Sequence, residues 1–228
     1  MRSDVIKLCG FTDPEQAATA VRAGATHLGV VVWAGSKRAV SEPEAAEIFR
    51  AAHAAGDVTC VAVVVDHPEP TALRDVGADL VQLHGDEPPA VGAALAAMNV
   101  PFWRALRVPP SATVESALAA VFAEATRWPH ADAFLLDAHV PGVAGGTGKR
   151  VDLALAAAVA AKHRVVLAGG LTPDNVAAAI ETVRPLGVDV ASGIERAPGD
   201  KDPARVRDFV AHARDALAAM RHPRPAAP

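Results

Sequence analysis

The chain lacks what several large classes of protein depend on. Its two cysteines, Cys9 and Cys60, are too few for a disulfide scaffold and are not spaced as metal ligands. There is no basic excess: 22 lysines and arginines stand against 26 aspartates and glutamates, a net charge of −4, and the cations are scattered. That argues against a nucleic-acid surface. The longest apolar runs are only strand length, so no membrane span is expected, and Met1-Arg2-Ser3-Asp4 lacks a signal-peptide layout. A cytoplasmic protein without nucleic-acid or membrane partners is the expectation.

What the chain does have is a regular alternation. Apolar β-branched runs at 5–9, 27–32, 58–65, 80–83, 102–106, 133–137, 165–168 and 188–191 predict eight strands. Alanine-rich helical stretches lie between and after them, at 14–23, 42–55, 69–76, 88–98, 112–125, 152–161, 173–183 and 203–220. Several begin with proline behind a capping residue, as in Thr172-Pro173 and Asp202-Pro203. A weak repeat sets glycine at a helix end just before a strand, in Ala23-Gly24-Ala25-Thr26-His27, Val76-Gly77-Ala78-Asp79-Leu80 and Leu186-Gly187-Val188-Asp189-Val190. Eight units of roughly 28 residues each fit a single closed (β/α)₈ TIM barrel, with a doubly wound sheet as the competing α/β architecture. The barrel domain is expected over 1–220, and the proline-bearing tail 221–228 is expected to be disordered. Cys60, inside a β-branched run, reads as core packing.

In such a barrel, chemistry belongs at the C-terminal ends of the strands. Two glycine-bearing turns, Ala168-Gly169-Gly170-Leu171 and Ala191-Ser192-Gly193-Ile194-Glu195, follow the seventh and eighth strands. They read as a phosphate cradle, because glycine lets backbone N–H groups come close to an anion. The substrate is therefore expected to be a phosphorylated small molecule. Cys9 ends the first strand and Asp137 the sixth, a thiol and a carboxyl group suited to moving a proton between carbon and oxygen. A free thiol near pKa 8.5 reaches its anion readily around neutrality. The plain alternatives are a buried strand residue for Cys9 and a capping carboxylate for Asp137. His84, after the fourth strand, is read equally as a functional group or as a loop-orienting hydrogen bonder. Asp189 falls within the eighth strand, close to the cradle.

Arg38, in Ser36-Lys37-Arg38 after the second strand, offers a fork for a carboxylate or phosphate, although most surface arginines have no such task. The glycine-rich segment 141–149, ending Gly146-Thr147-Gly148-Lys149, lacks P-loop spacing, with Arg150 where a hydroxyl is needed. It reads instead as a lid, with Lys149 as hinge anchor, substrate contact or plain surface residue. Paired metal-binding histidines, as a pentose-phosphate epimerase would use, are not found at strand ends. A degenerate barrel that binds a phosphorylated ligand without converting it is the non-enzyme alternative.

Six motifs in order, Lys7-Leu8-Cys9-Gly10-Phe11-Thr12, Gln82-Leu83-His84-Gly85-Asp86-Glu87, Leu135-Leu136-Asp137, Gly145-Gly146-Thr147-Gly148-Lys149, Leu167-Ala168-Gly169-Gly170-Leu171-Thr172-Pro173-Asp174-Asn175-Val176 and Gly187-Val188-Asp189-Val190-Ala191-Ser192-Gly193-Ile194-Glu195, resemble those of the phosphoribosylanthranilate isomerase family of tryptophan and aromatic amino acid biosynthesis. The resemblance runs from about residue 5 to residue 210. It implies a (β/α)₈ aldose–ketose isomerase that carries out the Amadori rearrangement of N-(5-phosphoribosyl)anthranilate, with neither metal nor organic cofactor. It further implies Asp137 as general acid, Cys9 as general base, Arg38 on the anthranilate carboxylate, and Gly169, Gly170, Ser192 and Gly193 on the phosphate, with Gln82, His84 and Asp189 in support. The alanine-rich helix faces fit a monomer or a homodimer alike. Lys37, Ala39, Leu153 and Ala191 depart from the family pattern, so a substrate built on a modified anthranilate remains an alternative.

Overall fold

The structure is a computed structural model that describes residues 4–107, 114–137 and 153–221. The glycine-rich segment 141–149, with Lys149, and the tail beyond Arg221 lie outside the described residues. The strands β1 (Val5–Cys9), β2 (His27–Val31), β3 (Thr59–Val64), β4 (Leu80–Leu83), β5 (Phe102–Arg107), β6 (Ala133–Asp137), β7 (Val165–Leu167) and β8 (Gly187–Val190) pair in parallel and in chain order. β1 closes the ring: Lys7 lies opposite both His27 of β2 and Asp189 of β8. The architecture is a closed barrel, which rules out the doubly wound sheet.

Helices α1 (Pro14–Ala23), α2 (Glu42–Ala55), α3 (Pro89–Ala97), α4 (Val114–Thr126), α5 (Leu153–Ala160), α6 (Val176–Val183) and α7 (Pro203–Arg221) cover the outside. Local chemistry sets several of their ends. Asp13 caps α1 by accepting from the Gln16 N–H at 2.8 Å, and Ser41 and Glu44 form a reciprocal capping box at α2. Hydrogen bonds to Ser41 hold the exposed Glu44 carboxyl below its usual range.

Two expectations fail locally, each for a physical reason, and one element is added. The helix expected over 69–76 is only a 3₁₀ turn, Pro70–Arg74, cut short by Gly77 at φ 91°. The helix expected from 173 begins at Val176, because the Asn175 side chain folds back on the loop: its Oδ1 accepts from the Thr172 N–H and its Nδ2 donates to the Gly170 carbonyl. Between β8 and α7 the chain forms a further hairpin, β9 (Glu195–Ala197) and β10 (Asp200–Lys201), turned at Pro198-Gly199.

Strand alternation divides the buried apolar side chains into two sets. Ile6, Leu8, Leu28, Val30 and their counterparts pack outward against the helices, while Val5, Cys9, Val61, Val63, Trp103 and Leu135 fill the barrel. Cys60 belongs to the outer set, as core packing requires. No helix among the described residues is long and apolar enough to cross a membrane.

Candidate active site

The period of β1 brings a charge inside. Val5, Lys7 and Cys9 share the barrel-facing side, and Lys7 is completely buried with its Nζ 2.8 Å from Asp189 Oδ1. Both Lys7 and Cys9 rest over Gly29 of β2, where a Cβ would stand 2.7 Å from the Cys9 Sγ and 3.1 Å from the Lys7 Nζ. Burial would lower the Lys7 ammonium, but Asp189 and Cys9 outweigh it and hold it above its ordinary range. The thiol behaves oppositely to the sequence-based expectation. Burial pushes Cys9 up, and the pull of Lys7 and Lys201 only partly offsets this, so the anion is not freely populated near neutrality.

Alkylation of the native protein should therefore be slow at neutral pH and confined to Cys9. Its rate should climb only above the roughly 8.5 of a free thiol. Cys60, completely enclosed where Cys9 retains a little exposure, and likewise pushed up by burial and by Asp79, should stay unmodified. Mass spectrometry after iodoacetamide treatment across pH checks this, and a fast, pH-independent reaction at Cys9 would refute the burial argument.

Asp137 ends β6, half-buried, opposite Arg107 of β5 in register. Its Oδ2 lies 3.9 Å from His84 Nε2, and His84 Nδ1 is hydrogen-bonded to Gln82 Nε2 at 3.0 Å. The loop that carries His84 is tied from behind. Buried Glu87 accepts from the Gly85 and Asp66 N–H groups and from Arg104 at 2.6 Å, while Arg107 donates to the His84 carbonyl and to Asp86. Gln82, His84 and Asp137 thus form one wall of the mouth, and Cys9, Lys7 and Asp189 form another. Asp189, on β8 just before the Ser192–Gly193 turn, turns its carboxylate to Lys7.

The glycine turns meet at the rim. Gly169 and Gly170 take φ of 93° and 66°, a backbone open to glycine, and Gly193 sits directly against the Leu171 carbonyl, where no Cβ fits. Ser192–Ile194 form a single 3₁₀ turn. The loops after β7 and β8 are therefore in contact, as a shared anion site requires. Because β7 and β8 stand between β6 and β1 in the closed ring, the paired glycine turns lie between the Asp137 wall and the Cys9 wall. Arg38 is on the thiol side, and one edge of its guanidinium is already engaged by Glu195, at 2.8 Å from Nε and 2.5 Å from Nη2.

Sequence reasoning missed Lys7, Glu195 and Lys201. The signal for Lys7 was a cation inside an apolar strand, in phase with Cys9 and Val5. For the other two it was the turn dipeptide Pro198-Gly199, which marks a hairpin. Among the described residues, one trio is close enough to hold a metal: His53, Cys60 and Asp79. It lies at the opposite, N-terminal end of the barrel, where Asp79 already accepts from the Cys60 N–H at 2.7 Å.

The family described as N-(5'-phosphoribosyl)anthranilate (PRA) isomerase matches residues 6–212. The N-(5'-phosphoribosyl)anthranilate isomerase of Chromohalobacter salexigens is 44% identical over 211 residues, 92% of this chain and 94% of that protein. Among solved structures, phosphoribosyl anthranilate isomerase from Thermotoga maritima superposes with a TM-score of 0.78 at 33% identity, covering 94% of this chain and 100% of that one. A phosphoribosyl anthranilate isomerase in complex with reduced 1-(o-carboxyphenylamino)-1-deoxyribulose 5-phosphate superposes with a TM-score of 0.75 at 31% identity, with the same coverage.

Proposed function

The chain belongs to the N-(5'-phosphoribosyl)anthranilate (PRA) isomerase family, and from that premise we propose how its own side chains divide the work of the reaction. It is an isomerase that converts N-(5-phosphoribosyl)anthranilate to 1-(2-carboxyphenylamino)-1-deoxyribulose 5-phosphate by an Amadori rearrangement. Asp137, as the acid, gives a proton to the furanose ring oxygen, and the ring opens to an iminium. Cys9 then takes the proton from the sugar C2, leaving an enolamine that tautomerises to the ketone. The turns at Gly169, Gly170, Ser192 and Gly193 hold the phosphate, and Arg38 holds the aromatic carboxylate. Protons move and electrons are only redistributed within one molecule, so the balance asks for no cofactor.

The observation that carries this reading is the order β6, β7, β8, β1 around the rim. A phosphate tethered at β7 and β8 sets the sugar with Asp137 on one side and Cys9 on the other, as two proton transfers at neighbouring atoms require. The iminium also adds a positive charge near Cys9, which offsets part of the burial that raises the thiol and favours the thiolate form that acts as the base. Purified protein should consume the fluorescent substrate, generated in place, at the same rate with and without a chelator. Absence of turnover would sink the assignment, and loss of turnover with chelator alone would sink its cofactor-free form.

A further inference from the structure

We propose that Glu195 is the positioning residue that presents Arg38 to the substrate carboxylate, with Lys201 as the cation that keeps this cluster attractive to an anion. The inference rests on the reading of Arg38 as the carboxylate-binding residue and extends it to two residues with no role so far.

The geometry specifies which part of Arg38 remains available. Glu195 Oε1 and Oε2 accept from Nε and Nη2, a two-point grip that fixes the guanidinium plane as well as its position. The whole Nε/Nη2 edge is consumed, and the Nη1/Nη2 edge is left as the face for a second carboxylate. The arginine stem has no freedom behind that face. Its Cδ lies against Gly10, at φ 80°, so closely that any side chain there would collide, and its own N–H donates to Ser36 Oγ at 3.0 Å.

Glu195 is in turn rigidly held. Its side chain is 4% exposed, and Oε1 also accepts from Lys201 Nζ at 2.6 Å and from the Gly199 N–H at 3.2 Å. Lys201 Nζ donates at 2.5 Å to the carbonyl of Cys9, so the arm that reads the substrate is fastened to the backbone of the residue that takes its proton.

Charge explains why a lysine belongs in the cluster. Arg38 with Glu195 alone would be neutral, so the pair would offer an incoming carboxylate only a short-range attraction at the open guanidinium edge, weakened by Glu195 behind it. Lys201, lowered by burial but supported by its bond to Glu195, restores a net +1 while it is protonated. Burial would raise the Glu195 carboxyl, but Arg38 and Lys201 outweigh it and keep it below its usual range, so the grip stays ionised at any working pH.

Two replacements separate position from charge. Glu195→Gln raises the cluster from +1 to +2, and if only the field mattered the carboxylate would bind more tightly. Glu195→Asp keeps the charge and shortens the reach, and if only the field mattered nothing would change. Positioning predicts that both weaken recognition. The probes are reduced 1-(o-carboxyphenylamino)-1-deoxyribulose 5-phosphate and the same compound without its aromatic carboxyl group. For the parent protein, removing the carboxyl should weaken binding by roughly tenfold or more, as loss of a charge-assisted pair does. For both variants the same removal should cost less than about threefold, with KM raised and kcat changed by less than about threefold. Inhibition by inorganic phosphate should be unchanged.

If the parent, like Arg38→Ala, binds both compounds equally, the reading of Arg38 fails and takes this proposal with it. If the parent discriminates, Arg38→Ala does not, and both Glu195 variants discriminate like the parent, the proposal alone is overturned. If the Glu195 variants lose phosphate inhibition as well, Glu195 supports the fold at large, and the proposal is equally overturned.

Discussion

Asp137→Asn is expected to lower kcat by about 10²–10⁴-fold, the range of a lost general acid, while substrate affinity stays within a few-fold. The replacement is nearly isosteric and half-exposed at a strand end, so the fold loses little. The amide still reaches the ring oxygen but has no acidic proton to give it, so the cost falls on the transition state and not on binding. Asp137 meets His84, with Nε2 3.9 Å from Oδ2, and that imidazole is tied to Gln82 through its other ring nitrogen. Cys9→Ser should fail comparably, because a hydroxyl is far weaker as a base than a thiolate. Single-turnover loss of substrate fluorescence measures both. More than about a tenth of parental turnover in the Asp137 variant would remove it from the acid role.

The parts of this enzyme that were legible in the sequence are those written locally. Alternation of β-branched runs with alanine-rich helical stretches predicted the ring, and β1, β4, β6, α1 and α2 begin and end where the pattern placed them. Strand-end position singled out Cys9 and Asp137 because a barrel gathers those ends at one mouth. Partnerships across long separations were not legible. Lys7 meets Asp189 over 182 residues, and Arg38 meets Glu195 over 157, and no local pattern announces either contact. The state of the Cys9 thiol was misjudged for the same reason: a free-peptide value carries no information about burial inside a ring. Asn175 shortened α6 through two side-chain bonds to its own loop, a case in which local hydrogen bonding overrides helical propensity.

Lys7→Met should produce two separable losses, because the buried ammonium serves both Asp189 and Cys9. The first is stability. Asp189 is left buried without its counter-charge, at a cost of about 3–5 kcal/mol, or a fall in Tm on the order of 10 °C. The second is catalytic: without a cation beside Sγ the thiolate is harder to form, so the ascending limb of kcat/KM against pH moves to higher pH. At neutral pH the rate should fall by at least about tenfold. The limb cannot belong to Lys7 itself. Its ammonium is held above its ordinary range, so the stability it lends is complete below the free-lysine value and is lost only as pH rises through the raised one, beyond an assay window of about pH 6–9. A second substitution separates the two effects. Lys7→Met with Asp189→Asn removes both buried charges and should recover most of the lost Tm, since a neutral interior needs no counter-ion. The displaced pH limb should return only part of the way, because losing the Asp189 charge relieves the thiol while Lys7, the stronger influence, is still missing. Recovery of the parental pH profile in that double variant would mean that Lys7 matters only for folding, and that Cys9 is poised by something else.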